Sequence, residues 1–94
     1  MKTFLEKKIT IKGKSSSYGE LLLACVNNVP KDGFTVEEMQ ERGRIVDAVK
    51  TAKDGKIKLE DADYERALVL VNFMRWAVMD DEIVNFSKDF TGIK

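Results

Sequence analysis

The run Leu59-Glu-Asp-Ala-Asp-Tyr-Glu-Arg-Ala-Leu-Val-Leu-Val-Asn-Phe-Met-Arg-Trp-Ala-Val-Met79 constrains this chain most. It opens on a cluster of acids and then turns almost wholly apolar. A chain of 94 residues has one core of modest size, so this segment must be covered by the rest of the domain or by another molecule.

A helical period divides the segment into two stripes. Tyr64, Ala67, Leu68, Val71 and Met74 make one, flanked by Leu70 and Ala77; Val69, Phe73 and Trp76 lie on the opposite side. The spacing predicts a helix over about 61–76. Asp61 or Glu60 caps it, and Asp63 and Glu65 sit at the positive end of its dipole. A surface helix of a monomer uses only the first stripe. A central helix wrapped by others would bury both. Otherwise Val69, Phe73, Trp76 and Met79 form an exposed patch that meets a protein partner or a second copy. Trp and Met are enriched in interface cores, so these four are the candidate partner-binding residues.

The rest of the chain supplies the cover. Phe4 to Lys12, with β-branched Ile9, Thr10 and Ile11, reads as a strand, broken by Gly13-Lys-Ser-Ser16. A first helix runs from about Tyr18 to Val29, opened by the capping-box pattern Ser17-Tyr-Gly-Glu20 and ended by Pro30. Its face is Tyr18, Leu22, Cys25 and Val29, widened by Leu21 and Val26. A second helix follows the capping box Thr35-Val-Glu-Glu38, with Phe34 and Met39 placed for a hydrophobic staple. Val36, Met39, Val46 and Val49 follow its period beside Ile45, and Gly43 inside it suggests close approach of another backbone. Lys53-Asp-Gly55 is a turn. Lys56-Ile-Lys-Leu59 alternates as a short strand, expected to pair with residues 7–12; pairing across a dimer is the alternative. A last helix starts near Asp80-Asp-Glu82 and carries Ile83, Phe86 and Phe90 on one side. The expected fold is α+β, mainly helical, with about four helices and a small two-stranded β element in a single domain, 1–94.

Composition fits a folded soluble chain, 44% hydrophobic and 34% charged. The zero formal charge is uneven: +4 over residues 1–14, −1 over 15–53 and −3 over 54–94. One cysteine allows no intrachain disulfide and points to a cytoplasmic setting. Lys7 and Lys8 stand where a signal peptide would be apolar, and no apolar run is long enough to span a bilayer.

Catalytic chemistry lacks its parts. With no histidine in the chain, Cys25 has no imidazole base, and it falls on an apolar helix face. Asp54 to Glu65 has acids at both ends, like a calcium-binding EF-hand loop. Lys56 and Lys58 occupy the third and fifth places, and Leu59 stands where glycine is required. Gly13-Lys14-Ser15 lacks the glycine a phosphate loop has five residues earlier. No catalytic residue, metal or cofactor is expected. Nucleic acid is the alternative partner: Lys7, Lys8, Lys12 and Lys14 would track phosphates, joined by Lys56 and Lys58 if the two strands pair. No aromatic residue is interleaved to stack on bases, and the helix at 61–76 opens on acids, the wrong sign for a recognition helix.

The segments Phe34-Thr-Val-Glu-Glu-Met-Gln-Glu-Arg42, Gly55-Lys-Ile-Lys-Leu-Glu-Asp-Ala-Asp-Tyr-Glu65, Arg75-Trp-Ala-Val78 and Asp81-Glu-Ile-Val-Asn-Phe86 resemble short accessory proteins of tailed bacteriophages and prophages. The likeness spans roughly residues 34–90. It implies a small non-enzymatic protein of the bacterial host cytoplasm that binds a phage or host protein or helps assembly, and it assigns no functional residue.

Overall fold

The computed structural model describes residues 1–93. In chain order the elements are β1 (Lys2–Leu5), β2 (Lys8–Ile11), β3 (Lys14–Ser17), α1 (Tyr18–Asn27), α2 (Val36–Lys50), β4 (Lys56–Leu59), α3 (Asp61–Phe73) and α4 (Asp81–Thr91). Four helices and two two-stranded antiparallel sheets, β1–β4 and β2–β3, make an α+β domain.

The stretch expected as one strand over 4–12 is two strands. The chain bends at Glu6 and Lys7 because both bind the start of α1. Glu6 Oε1 accepts the N–H groups of Gly19 at 2.7 Å and Lys7 at 3.0 Å, while Tyr18 N–H donates to the Lys7 carbonyl at 2.9 Å. The expected partner of 56–59 is also corrected. β4 pairs with β1, placing Phe4 opposite Ile57 and Leu5 opposite Lys56. β2 instead folds back on β3 through Lys12 and Gly13, both at positive φ (49° and 81°). A two-residue hairpin turn of this handedness matches strand twist and closes a short loop, whereas reaching β4 requires closing a loop of more than forty residues.

Three helices begin at side-chain caps. Ser17 accepts from Glu20 N–H, Thr35 forms a full capping box with Glu38, and Asp80 accepts from Glu82 N–H. At α1 only half of the predicted box forms, because the Glu20 carboxylate accepts from Ser16 instead. α3 starts at Glu60, but no side chain caps it; Asp61 pairs with the N-terminal amine at 3.0 Å.

The core joins both ends of the chain. Phe4 stacks on Tyr18 (5.5 Å, 3°) and meets Phe90 edge-on (4.9 Å, 88°), with Phe86, Leu22, Ile57 and Leu59 around them. Val29 lies beyond α1 and is exposed. On α2 only Ile45 is fully buried; Val46 and Val49 are half-buried, and Val36 and Met39 face outward. Gly43 is not a site of close approach, since a Cβ there would meet nothing within 4 Å. The close approach is at Gly19, where a Cβ would run into the Glu6 carboxylate and the side chain of Val49.

Candidate interaction surface

α3 buries Asp63, Tyr64, Ala67 and Val71 against the other helices, with Leu68 and Met74 half-buried beside them. The first stripe is therefore core. Tyr64 is anchored at its polar end, where the hydroxyl donates to the Phe90 carbonyl at 2.6 Å. Burial pushes its pKa up. Asp63 accepts from Arg44 Nε at 3.0 Å, an ion pair between α3 and α2 that helical periodicity does not reveal.

The second stripe divides. Val69 and Phe73, one helical turn apart, face outward at 46% and 80% exposure. The helix then ends at Phe73 rather than near 76, with Met74 already extended (φ −67°, ψ 134°). No glycine or proline stops it. Leaving the helix lets Met74 and Trp76 both pack on the core, and the Trp76 ring meets Phe86 edge-on at 6.4 Å. Trp76 is thus half-buried and off the helix. Met79, on the connection to α4, is 90% exposed.

Around that connection a cleft of about 730 Å³ is lined by Trp76, Val78, Met79, Ile83 and Val84, with Lys12, Asp80 and Asp81 at its charged side. Val78 and Val84 are exposed as well. Sequence periodicity missed both, because one lies outside any helix and the other on the solvent side of α4. Of the eight aromatic side chains, Phe73 alone is exposed.

The lysines are not assembled into one face. Lys56 and Lys58 stand on the solvent side of the β1–β4 sheet, where with Lys53 they line a cleft of about 350 Å³ beside the end of α2. Lys8, Lys12 and Lys14 belong to the separate β2–β3 hairpin, and the Lys7 ammonium lies 5.7 Å over the Tyr18 ring. Cys25 is buried on α1, and burial pushes its pKa up to about 12, so the thiol stays protonated. Among the described residues no three histidine, cysteine or carboxylate side chains converge, and no helix is long and apolar enough to cross a membrane.

No protein-family model, curated protein or solved structure matches the chain.

Proposed function

We propose that this domain is a small non-enzymatic interaction module that docks a protein partner on the α3–α4 corner, with Phe73 and Met79 as its main contacts, Val69 beside Phe73, and Trp76 as the floor of the adjoining cleft. The observation that carries this reading is the exposure of Phe73 and Met79 in a domain that shelters every other aromatic side chain. Each large apolar side chain left in water forgoes about 1.5–3 kcal/mol, a large sum for a domain whose whole margin is about 5–15 kcal/mol. A partner that covers the corner recovers that energy, and such central aromatic anchors dominate binding. The resemblance to accessory proteins of phages and prophages agrees with a role of this kind in a bacterial cytoplasm.

The test is a photo-crosslinking residue placed at Phe73 in the native host, with one placed at Lys50, on the exposed side of α2, as control. A discrete adduct at position 73 that is absent at 50 and disappears when Met79 is changed to Ser supports the proposal. Equal labelling at both positions, or none, refutes it. Binding through the lysines gains no support from a shared face, but salt-sensitive retention on random duplex DNA that falls with Lys56→Ala and Lys58→Ala would favour it over the protein partner.

A further inference from the structure

β1 has one satisfied edge and one open edge, and the open edge is self-complementary. In an antiparallel ladder the N–H and C=O of one residue point to the same side, and successive residues alternate. Glu6 N–H donates to the Gly55 carbonyl at 2.8 Å, in line with the opposition of Phe4 to Ile57, so Lys2, Phe4 and Glu6 turn toward β4. Thr3, Leu5 and Lys7 therefore turn away. The outward Lys7 carbonyl is occupied by Tyr18 N–H. The backbone groups of Thr3 and Leu5 have no partner among the described residues, because β1 pairs only with β4. Beside them runs a groove of about 680 Å³, lined by the consecutive residues Thr3 to Lys7 and by Tyr18, Asp89 and Ile93. Leu5 itself is 63% exposed.

We infer that this edge receives β1 of a second copy of the chain, antiparallel, joining the two small sheets into one four-stranded sheet across a two-fold axis at Phe4. Three registers keep buried faces together. Centring on Leu5 sets Thr3 against the partner's Lys7, whose carbonyl is already taken. Centring on Thr3 sets Leu5 against Met1, whose amine is held by Asp61 at 3.0 Å. Centring on Phe4 sets Thr3 against the partner's Leu5 on each side. The open donors and acceptors of Thr3 and Leu5 in both chains are then used. The same register sets Leu5 beside the partner's Thr3 and covers it. Backbone groups, not a bare apolar face, thus specify a strand as occupant, and the order of residues specifies this one.

The shared edge is short, so the dimer lies at the weak end of specific interfaces, with association expected at roughly 10 µM to 1 mM protein. Sedimentation equilibrium of the intact chain should show the mass rising toward twice the monomer over that range. Leu5→Pro removes an outward N–H that the β4 ladder does not use, a position where an edge strand tolerates proline. It should keep the far-ultraviolet circular dichroism of the parent and remain a monomer throughout. Phe73→Ser should dimerise like the parent, which separates this edge from the α3–α4 corner. A parent that is monomeric at 1 mM, or a folded Leu5→Pro variant that associates as well as the parent, overturns the inference. So does loss of the dimer in Phe73→Ser. Should Leu5→Pro fail to fold, amide exchange of the parent decides: the Thr3 and Leu5 amides must exchange more slowly as concentration rises, and exchange independent of concentration overturns it.

Discussion

Gly19 donates its amide to Glu6 Oε1 at 2.7 Å, across a space that a single added methyl group would fill. Glu6 thereby occupies the positive end of α1 from outside the helix, where a carboxylate is favoured. Gly19→Ala gains about 1 kcal/mol in helix propensity but displaces a carboxylate bond worth about 1.5–3 kcal/mol. The net expectation is a loss of roughly 1 kcal/mol. In a Glu6→Ala background the same change should be neutral or stabilising, because the severe collision is gone and only the looser contact with the Val49 side chain remains. A double-mutant cycle in urea measures the difference; equal effects in both backgrounds would show that Glu6 and Gly19 are not coupled.

Arg42 closes the other end of α1. That helix has no basic residue in its last turn, and its C-cap Asn28 is extended. From α2, Arg42 Nη1 donates to the carbonyls of Val26 at 2.7 Å and Asn28 at 3.2 Å, while the guanidinium lies 4.6 Å over the Phe34 ring. Arg42→Met keeps much of the apolar stem but leaves those carbonyls without their donor, with an expected loss of about 1–3 kcal/mol. Lysine cannot supply the planar fork and should restore only part of it. Thermal unfolding reads this as a drop of about 4–8 °C per kcal/mol for a domain of this size.

Alkaline pH should destabilise the fold chiefly through Cys25 and Tyr18, with Tyr64 shifted in the same direction. Burial pushes the Cys25 thiol up to about 12; burial, helped by the Asp89 hydrogen bond at 2.8 Å and its charge, does the same for the Tyr18 hydroxyl. Unfolded, they ionise near 9.0 and 10.0. Between those values and about 12 the unfolded chain releases protons that the folded chain keeps. Their contribution is therefore complete below about pH 9 and is lost as pH rises toward 12. Urea midpoints should fall over that interval, and less steeply in Cys25→Ala and Tyr18→Phe. Correspondingly, a thiol reagent at pH 8 should label Cys25 only after denaturant is added.

Trp76 and Phe73 should part company under mutation. Trp76→Ala removes a ring packed on Phe86 and is expected to cost about 2 kcal/mol or more. Phe73→Ala, at an exposed position, should leave stability within about 0.5 kcal/mol while lowering partner binding at least tenfold. Calorimetry of the two variants beside the parent checks both statements; equal destabilisation would mean that Phe73 is also part of the core.

What was legible in the sequence was local. Thr35 with Glu38, Ser17 and Asp80 mark helix starts because a cap is made within four residues, and the Tyr64–Met74 stripe is core because its period is that of the helix carrying it. What was not legible depends on contacts distant in sequence. Lys14-Ser-Ser-Ser17 carries no alternation, so β3 is specified by the Lys12-Gly13 turn rather than by its own residues. The choice of β1 over β2 as partner for β4 follows from Glu6 and Lys7 being drawn to α1. The early end of α3 has no breaker residue; it is set by what Met74 and Trp76 pack against. Helical period therefore puts Val69, Phe73 and Trp76 on one helix face, whereas in the structure Trp76 joins Met79 on the connection after α3.

The meeting of Phe4 with Phe86 and Phe90 has a consequence for synthesis. Phe4 is made early and its aromatic partners on α4 late, so the aromatic centre cannot close before residue 90 has left the ribosome. Until then β1 has no core to rest on, and its backbone and the apolar side of α3 stay open to whatever the cell presents. For this fold the hazardous interval is the one before residue 90 emerges, and a slow codon or a bound chaperone there would act on solubility without touching the finished surface.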